Sequence, residues 1–546
     1  MKISRLFHRS QFRAVLCTLV LLRAAGAKAQ SVPAPPAPGQ PAHGDAAAAP
    51  EPAFFIGEYR ITGATKLTEL EKGRAVYPYL GPGRTAADIE AARAALEGVY
   101  KAKGFETVAV EAPVAAPRGG VVHLRVVEMT VGRVRVNGAR YFLPSQIVRH
   151  APSLQPGITP NFEAVQRDIS ALNQWPDRRI TPVLKAGALP GTVDIDLNVE
   201  DKLPLHASLE LNNRHSQDTT DLRVNASVSY NNLWQLGHSL GASVQLSPEA
   251  PDEVKVFSGY YTARFSQWPG FSLLLQGTKQ DSNVSTLGGG AVAGRGETLG
   301  PRAIFTLPSH PGFYHSANFG FDYKHYDQVL NFGPVPLVTP VTYYPVTAGY
   351  SATWANEKGQ TDLNAGVTFG FREAGSNAAE FDNNRFKARG NFFYVRGDLA
   401  RTQELAGGAQ LYAKVQGQAS GQPLVTSEQF AGGGLGTVRG YLEAEALGDN
   451  AIFGTLEARS PSLLGWTKRK DHEWRVYAFL EGGVLTLRDA LPQQESRFTL
   501  GSAGLGTRVQ LFDHFHGSLD VGFPFTSLTT TQAGDPMFTF RIWSEF

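Results

Sequence analysis

The sequence holds a single cysteine, Cys17, in 546 residues. One thiol excludes a disulfide scaffold and a cysteine-based zinc site. Charged residues make up only 18 % of the chain and nearly cancel, at a formal net charge of +2. This excludes a nucleic-acid binder that relies on a broad basic field. The one long apolar run, Ala14–Leu22, has nine residues, where a helix crossing a bilayer needs about 20. With a mean hydropathy of −0.19, a polytopic helical membrane protein is excluded as well. What the chain has in excess is glycine: 58 residues, or about 11 % against a usual ~7 %. Together with 10 % aromatics, this suits a long, half-polar β-protein.

The apolar run has a purpose of its own. Lys2, Arg5, Arg9 and Arg13 precede it and Ala27-Lys28-Ala29 follows it. These are the charged region, apolar region and cleavage site of a secretory signal over residues 1–29, with the mature chain beginning near Gln30. Six of the 51 basic residues lie in that segment and none of the 49 acidic ones, so the mature chain is net −4 and free of cysteine. Residues 30–53 are Pro- and Ala-rich without an apolar face, the composition of a linker.

Beyond the linker the chain repeats itself. Tyr59-Arg60-Ile61-Thr62-Gly63-Ala64 returns 75 residues later as Val134-Arg135-Val136-Asn137-Gly138-Ala139. In the first copy Thr85 and Asp88 form a capping box, and Ile89, Ala92, Leu96, Val99 and Tyr100 follow the helical period until Gly104. In the second, Thr159 reads as the cap and Pro160 as the first helical residue, with Phe162, Val165, Ile169 and Leu172 on one face and Trp175-Pro176 as the stop. Strand pairs follow in both, Glu106–Pro113 with Val121–Glu128 and Ile180–Ala186 with Thr192–Glu200. Each copy is a β-α-α-β-β unit, and a fixed period is strong evidence of a structural repeat.

From Leu205 onward apolar and polar residues alternate. Leu205, Ala207, Leu209 and Leu211 alternate with His206, Ser208, Glu210 and Asn212, and Asp362–Arg372, Gln410–Gln418 and Phe515–Phe525 repeat the pattern. This is the period of a transmembrane barrel with one lipid face and one wet face. Sixteen strands are predicted, starting at about 205, 221, 238, 254, 270, 295, 314, 342, 359, 384, 409, 450, 472, 497, 514 and 535. Connections after even-numbered strands are mostly short and those after odd-numbered ones include the longest, 422–449 among them. The last strand carries Phe538, Phe540, Ile542 and the terminal Phe546 on one face.

Several of these stretches resemble a known family. YRITGAT, the VYPYLG of Val76–Gly81, the helix TAADIEAARAALEGVYKAKGF and the strand VVHLRVVE are similar to a POTRA domain, in wording closest to the first POTRA of TpsB transporters. These are the outer-membrane partners in two-partner secretion. Val438-Arg439-Gly440-Tyr441, within a glycine-rich stretch of the longest loop, resembles the loop that this POTRA-plus-barrel superfamily folds into its lumen. The resemblance implies that Arg439 meets an acid in an F-x-D-x-G pattern on strand thirteen. Here the pattern is Phe479-Leu480-Glu481-Gly482-Gly483, with Glu for Asp. Alternation puts Phe479, Glu481 and Gly483 on the wet face, and the arginine fork suits a carboxylate. Phe540, Ile542 and Phe546 resemble the signal read by the outer-membrane assembly machinery.

The expected organisation is therefore a signal peptide (1–29), a linker (30–53), POTRA domains (54–129 and 130–203) and a sixteen-stranded antiparallel transmembrane β-barrel (204–546). The resemblance implies a monomeric barrel in the outer membrane of a Gram-negative bacterium, with its POTRA domains in the periplasm. It would export an unfolded haemolysin- or adhesin-like exoprotein that the POTRA domains capture; Glu106–Pro113 with the helix Thr85–Lys103 is the candidate surface. The alternatives are an assembly or insertase protein of the same superfamily, which typically carries more POTRA units, and a passive porin or receptor. No enzyme is expected. Gly501-Ser502-Ala503-Gly504 is not a nucleophile elbow, no phosphate-binding loop is present, and no cofactor or metal is expected. His514 and His516 share a face but lack a third ligand. Without a nucleotide site, export would be driven by folding of the substrate outside. Glu210, Glu457 and Asp520 are expected to pair with Arg223, Arg459 and Arg541 across the lumen.

Overall fold

The computed structural model describes residues 53–546 apart from 114–118, 218, 266, 269, 282–283, 286–291, 294, 331–336, 373, 468 and 470. The signal assigned above and all of the linker but residue 53 lie outside the described residues. The chain forms two compact units. One takes in Ile147–Glu200 and the described residues up to Gly138; the other takes in Ala139–Gln146 and Asp201–Phe546.

In the first repeat, strand Glu58–Thr62 runs parallel to Val121–Glu128, which pairs antiparallel with Val108–Glu111. Helices Glu69–Val76 and Ala86–Ala102 each open on a capping box, Thr68 with Glu71 and Thr85 with Asp88. Ile89, Ala92, Leu96 and Tyr100 of the longer helix are buried against Val108, Val110, Val122 and Leu124. The second repeat orders its strands alike: Thr130–Asn137, then Thr192–Asp201, then Arg178–Ala186. Gly63 and Gly138 explain why the repeated sextet keeps its glycine. Both have positive φ (80° and 85°), and a Cβ would stand 2.3 Å from the carbonyl of Val126 and 2.5 Å from that of Val199.

The second helix differs from the sequence expectation. Asn161, not Thr159, is its N-cap, and it spans Phe162–Leu172. The Asn161 carboxamide accepts from Ala164 N–H at 3.1 Å and donates to the Lys103 carbonyl at 2.7 Å. Thr159 followed by proline offers neither bond.

The rest is a closed antiparallel barrel. Its strands are β1 (Leu205–Asn212), β2 (Arg223–Leu233), β3 (His238–Leu246), β4 (Lys255–Arg264), β5 (Phe271–Asp281) and β6 (Arg295–Thr306). Next come β7 (Phe313–Phe321 continuing as Tyr323–Leu330), β8 (Leu337–Tyr343 continuing as Val346–Asn356), β9 (Gly359–Phe369), β10 (Phe393–Glu404) and β11 (Gln410–Ser420). The ring is completed by β12 (Asn450–Arg459), β13 (Glu473–Thr486), β14 (Arg497–Leu511), β15 (Phe515–Pro524) and β16 (Met537–Glu545). Strand β16 closes on β1, with Arg541 opposite Asn212, Glu545 opposite Ser208, and two backbone bonds between Phe546 and Ala207. Closure satisfies every strand edge, which a sheet in lipid requires.

Two starts move. Strand β8 begins at Leu337 rather than 342, and β10 at Phe393 rather than 384. The stretch before β10 is instead the helix Ala378–Asn384, nucleated by a capping box between Asn377 and Glu380.

The pleat sorts the side chains. Val228, Leu240, Phe257, Leu299, Phe319, Val415, Ile452 and Leu480 stand exposed on the outer surface, while the residues between them face the lumen. At the short-turn end Trp234, Trp268, Trp466 and Phe512 are also exposed, the aromatic girdle of a membrane interface. Trp234-Gln235 and Phe512-Asp513 have positive φ at both positions, and each sits at the centre of a tight turn, closed by Leu236 N–H on the Leu233 carbonyl and by His514 N–H on that of Leu511. Among the described residues no helix is long and apolar enough to cross a membrane.

Candidate functional site

The segment between β11 and β12 turns back into the barrel. Its limbs pair briefly, Phe430–Gly432 against Ala446–Gly448. Between them the backbone turns through Gly433, Gly434 and Gly440, all with positive φ. The Thr437 hydroxyl accepts from Gly433 N–H and donates to the Gly433 carbonyl, at 2.8 and 3.0 Å. The tip is thus an ordered structure of its own.

That tip presents Arg439, which is 4 % exposed. Its Nε and Nη2 donate to Glu481 Oε1 at 3.1 and 2.7 Å, and its backbone N–H donates to Oε2 at 2.7 Å. The guanidinium also reaches Asp520 on β15 at 2.7 Å and Glu457 on β12 at 3.0 Å. Its plane lies over the Phe479 ring, 3.6 Å from the centroid, a cation–π contact. Phe479 and Glu481 come from the same face of β13, as the alternation predicts.

Sequence reasoning named one carboxylate, and the structure brings three. The expected lumenal pairs divide accordingly. Glu210 meets Arg541 at 2.7 Å, and Glu457 meets Arg459 at 2.6 Å. Asp520, however, turns to Arg439, while the guanidinium of Arg223 donates to the Thr220 and Leu222 carbonyls and to the Thr219 hydroxyl. The missed signal was positional: Glu457, Glu481 and Asp520 are inward-facing acids on β12, β13 and β15. Their convergence depends on register, which the sequence pattern does not print.

The other motif residues fix the tip. Val438 is buried with Tyr441, Phe453, Leu485 and Leu500. A Cβ on Gly440 would stand 3.2 Å from the backbone of Gly522, and one on Gly522 only 2.7 Å from Gly440 N. The loop therefore rests backbone to backbone on β15. The Tyr441 hydroxyl stands 3.1 and 2.9 Å from the carbonyl oxygens of Gly501 and Thr526, which share its one proton. A Cβ at Gly483 would meet the Phe453 ring.

Two further buried pairs, neither anticipated, hold the limbs. Arg214, just past β1, donates to Glu443 at 2.6 Å, and Glu443 N–H donates to the His215 carbonyl. At the base, Glu428 accepts from Lys324, Tyr343 and Tyr394, each at 2.6 Å.

Of the C-terminal residues, Phe546 and Ile542 are exposed on the outer surface, and Phe540 N–H donates to Asn213 at 2.8 Å. His514 stacks on Phe546 and His516 on Trp543. Among the described residues no group of three or more His, Cys, Asp or Glu is arranged to hold a metal ion.

In the first repeat, Glu128 accepts from Thr65 N–H, Lys66 N–H, the Thr65 hydroxyl and the Tyr100 hydroxyl. Burial pushes its carboxyl up, but the bonds from Thr65, Tyr100 and Lys66 outweigh this and hold it below the usual range. Among the described residues both sheet edges, Val108–Glu111 and Glu58–Thr62, have an unpaired side. Val108 and Val110 are buried, whereas Leu70 and Tyr77 stand exposed beside the other edge. They line an open groove of about 540 Å³ with Tyr59 and Leu80.

A sixteen-stranded barrel preceded by an α/β repeat, with a loop pinned in its lumen by an arginine, defines the POTRA-plus-barrel class. Within it, the chain belongs to the haemolysin secretion/activation protein family ShlB/FhaC/HecB, whose model matches residues 191–509. The ShlB-type POTRA model matches residues 54–128. Outer membrane transporter CdiB of Escherichia coli is 23 % identical over 181 residues, 33 % of this chain and 30 % of that protein. CdiB of Dickeya dadantii (strain 3937) is 21 % identical over 183 residues, 34 % of this chain and 32 % of that one. These matches span about a third of the length of the curated relatives. The solved structure of CdiB from Escherichia coli superposes with a TM-score of 0.64 at 19 % identity, covering 93 % of each chain. BamA from Haemophilus ducreyi lacking POTRA domains 1–3 gives 0.54 at 12 % identity, covering 90 % of this chain and 100 % of that one. These likenesses are likenesses of fold.

Proposed function

We propose that this protein is an outer-membrane translocase of two-partner secretion. It takes an unfolded exoprotein from the periplasm through its POTRA domains and passes it through the barrel lumen. The observation that carries this reading is the lumenal seat of Arg439, where one cation holds a long loop across the pore through three carboxylates. A seat of this kind lets the pore be obstructed at rest and opened by displacing one element. Capture is by β-augmentation, an extended segment adding to a POTRA sheet edge. The groove beside Glu58–Thr62, lined by Leu70 and Tyr77, adds apolar side-chain contacts there that Val108–Glu111 lacks. Export draws its free energy from folding of the exoprotein outside. Phe540, Ile542 and Phe546 are the signal by which the assembly machinery inserts a monomeric barrel.

The test is export of the exoprotein encoded beside this gene in a host lacking other transporters of the class. Surface appearance that requires this protein and is lost on deleting residues 54–128 is the expected result. Appearance without the protein, or undiminished by the deletion, overturns the reading.

A further inference from the structure

The lumen has two unlike walls. On β12, β13 and β15, Glu457, Glu481 and Asp520 are occupied with Arg439. Further loop bonds land on neighbouring strands, Gln416 of β11 on the Gly436 carbonyl and Tyr441 on the Gly501 carbonyl of β14, and beyond the end of β1 Arg214 and His215 hold Glu443. The wall across the ring is different. In register, Ser208 stands opposite Ser227, Ser227 opposite Ser243, Ser243 opposite Ser258, Ser258 opposite Thr278, and Thr278 opposite Thr298. Six hydroxyls thus form one row across β1 to β6. All six alternate with exposed outer residues of their own strands, Leu209, Val228, Leu240, Phe257, Leu275 and Leu299, so the row faces the lumen. Neighbours in it hydrogen-bond, Ser208 with Ser227 at 2.7 Å and Ser258 with Thr278 at 2.8 Å. At the two edges of this wall Glu210 on β1 is paired with Arg541 and Arg302 on β6 with Asp322; on the lumenal face of β2 to β5 the charged residues are Arg223 and Arg264, near opposite ends of their strands. Both guanidinium groups are engaged by backbone carbonyls, Arg264 by that of Gly237.

We propose that the polypeptide in transit runs along this β1–β6 wall, in contact with the hydroxyl row, while the charged wall serves to seat the loop. The inference rests on the transport reading and adds where in the lumen the substrate travels. An extended chain presents a donor and an acceptor at nearly every residue, and a hydroxyl can meet either. Because such bonds replace bonds to water, each contributes little net binding. The chain is therefore guided without being held. An unpaired charge on this wall would retain every segment of opposite sign, since attraction strengthens where water is confined.

Cys17 is the only cysteine, so single lumenal thiols can be introduced cleanly. The substrate is the cognate exoprotein carrying one cysteine and stalled by fusion to a disulfide-locked domain, and the probe is a bismaleimide. Ser227→Cys, Ser243→Cys and Ser258→Cys are expected to cross-link at least about fivefold more than Thr455→Cys on β12, reflecting local concentration. Equal yields, or a preference for Thr455→Cys, overturn the track and leave the transport reading standing. No lumenal cross-link in a strain that still exports the exoprotein overturns both. As an independent arm, Ser243→Asp with Ser258→Asp is expected to slow export several-fold, and Ser243→Thr with Ser258→Thr to leave it unchanged. Export insensitive to the aspartates also overturns the track.

Discussion

Arg439→Ala isolates the contribution of the lumenal seat. The residue is 4 % exposed, and its guanidinium makes four hydrogen bonds to Glu457, Glu481 and Asp520. Arg459 and Arg508 stand 2.6 and 3.5 Å from Glu457, so three arginines balance three acids. Removing Arg439 leaves Glu481 and Asp520 buried without the cation that joins them. Removing one partner of a buried ion pair costs about 3–5 kcal/mol, which lowers the population of the seated tip by roughly two to three and a half orders of magnitude. The barrel ladder does not depend on these bonds, so the variant should assemble with normal heat-modifiable mobility. Single-channel conductance should rise, Leu435→Cys should become reactive to a soluble maleimide, and export should fall. Arg439→Lys keeps the charge but loses the planar fork and most of the stacking on Phe479, placing it between wild type and alanine. Wild-type conductance, thiol reactivity and export in Arg439→Ala would refute the argument that this cluster holds the loop.

Other consequences can be checked separately. Gly522→Ala puts a Cβ 2.7 Å from Gly440 N; it should displace the tip and raise conductance without touching a charge, at a cost of about 1–3 kcal/mol. Leu480→Arg, on the exposed outer face of β13, should lower the stability of the folded barrel in bilayers by ~2–4 kcal/mol, measured by urea titration of heat-modifiable mobility. Glu128 has a depressed folded-state pKa, so its contribution is present above the unfolded value of about 4.3 and lost as pH falls through the folded one. Hydrogen exchange at Thr65 and Lys66 should therefore lose protection in acid, and Glu128→Gln should flatten that dependence. Deleting Phe546 removes both backbone bonds to Ala207 and should reduce the yield of assembled barrel on immunoblots of outer membranes.

The sequence by itself determined the elements and their faces. A side-chain period of two assigns inside and outside on every strand, so Phe479 and Glu481 could be placed in the lumen before any coordinates. The 75-residue repeat located the α/β units, because a glycine at the end of the first strand is needed wherever a Cβ would strike the neighbouring carbonyl. Local chemistry was less legible where two caps competed. Asn161 displaced Thr159 because its amide also reaches Lys103, a partner 58 residues away. The helix at Ala378–Asn384 stood hidden in the polar connection before the tenth strand, whose expected start at about 384 falls on its last residue.

Only the tertiary structure decided what Arg439 meets. One acid was found through a motif; Glu457 and Asp520 joined it because barrel closure and strand stagger brought inward positions on β12 and β15 to one height. Likewise, six serines and threonines scattered between positions 208 and 298 became one row through register alone. Periodicity is a local property of the chain and survives in the sequence. Register and shear belong to the closed ring, where each strand's offset is fixed by all the others.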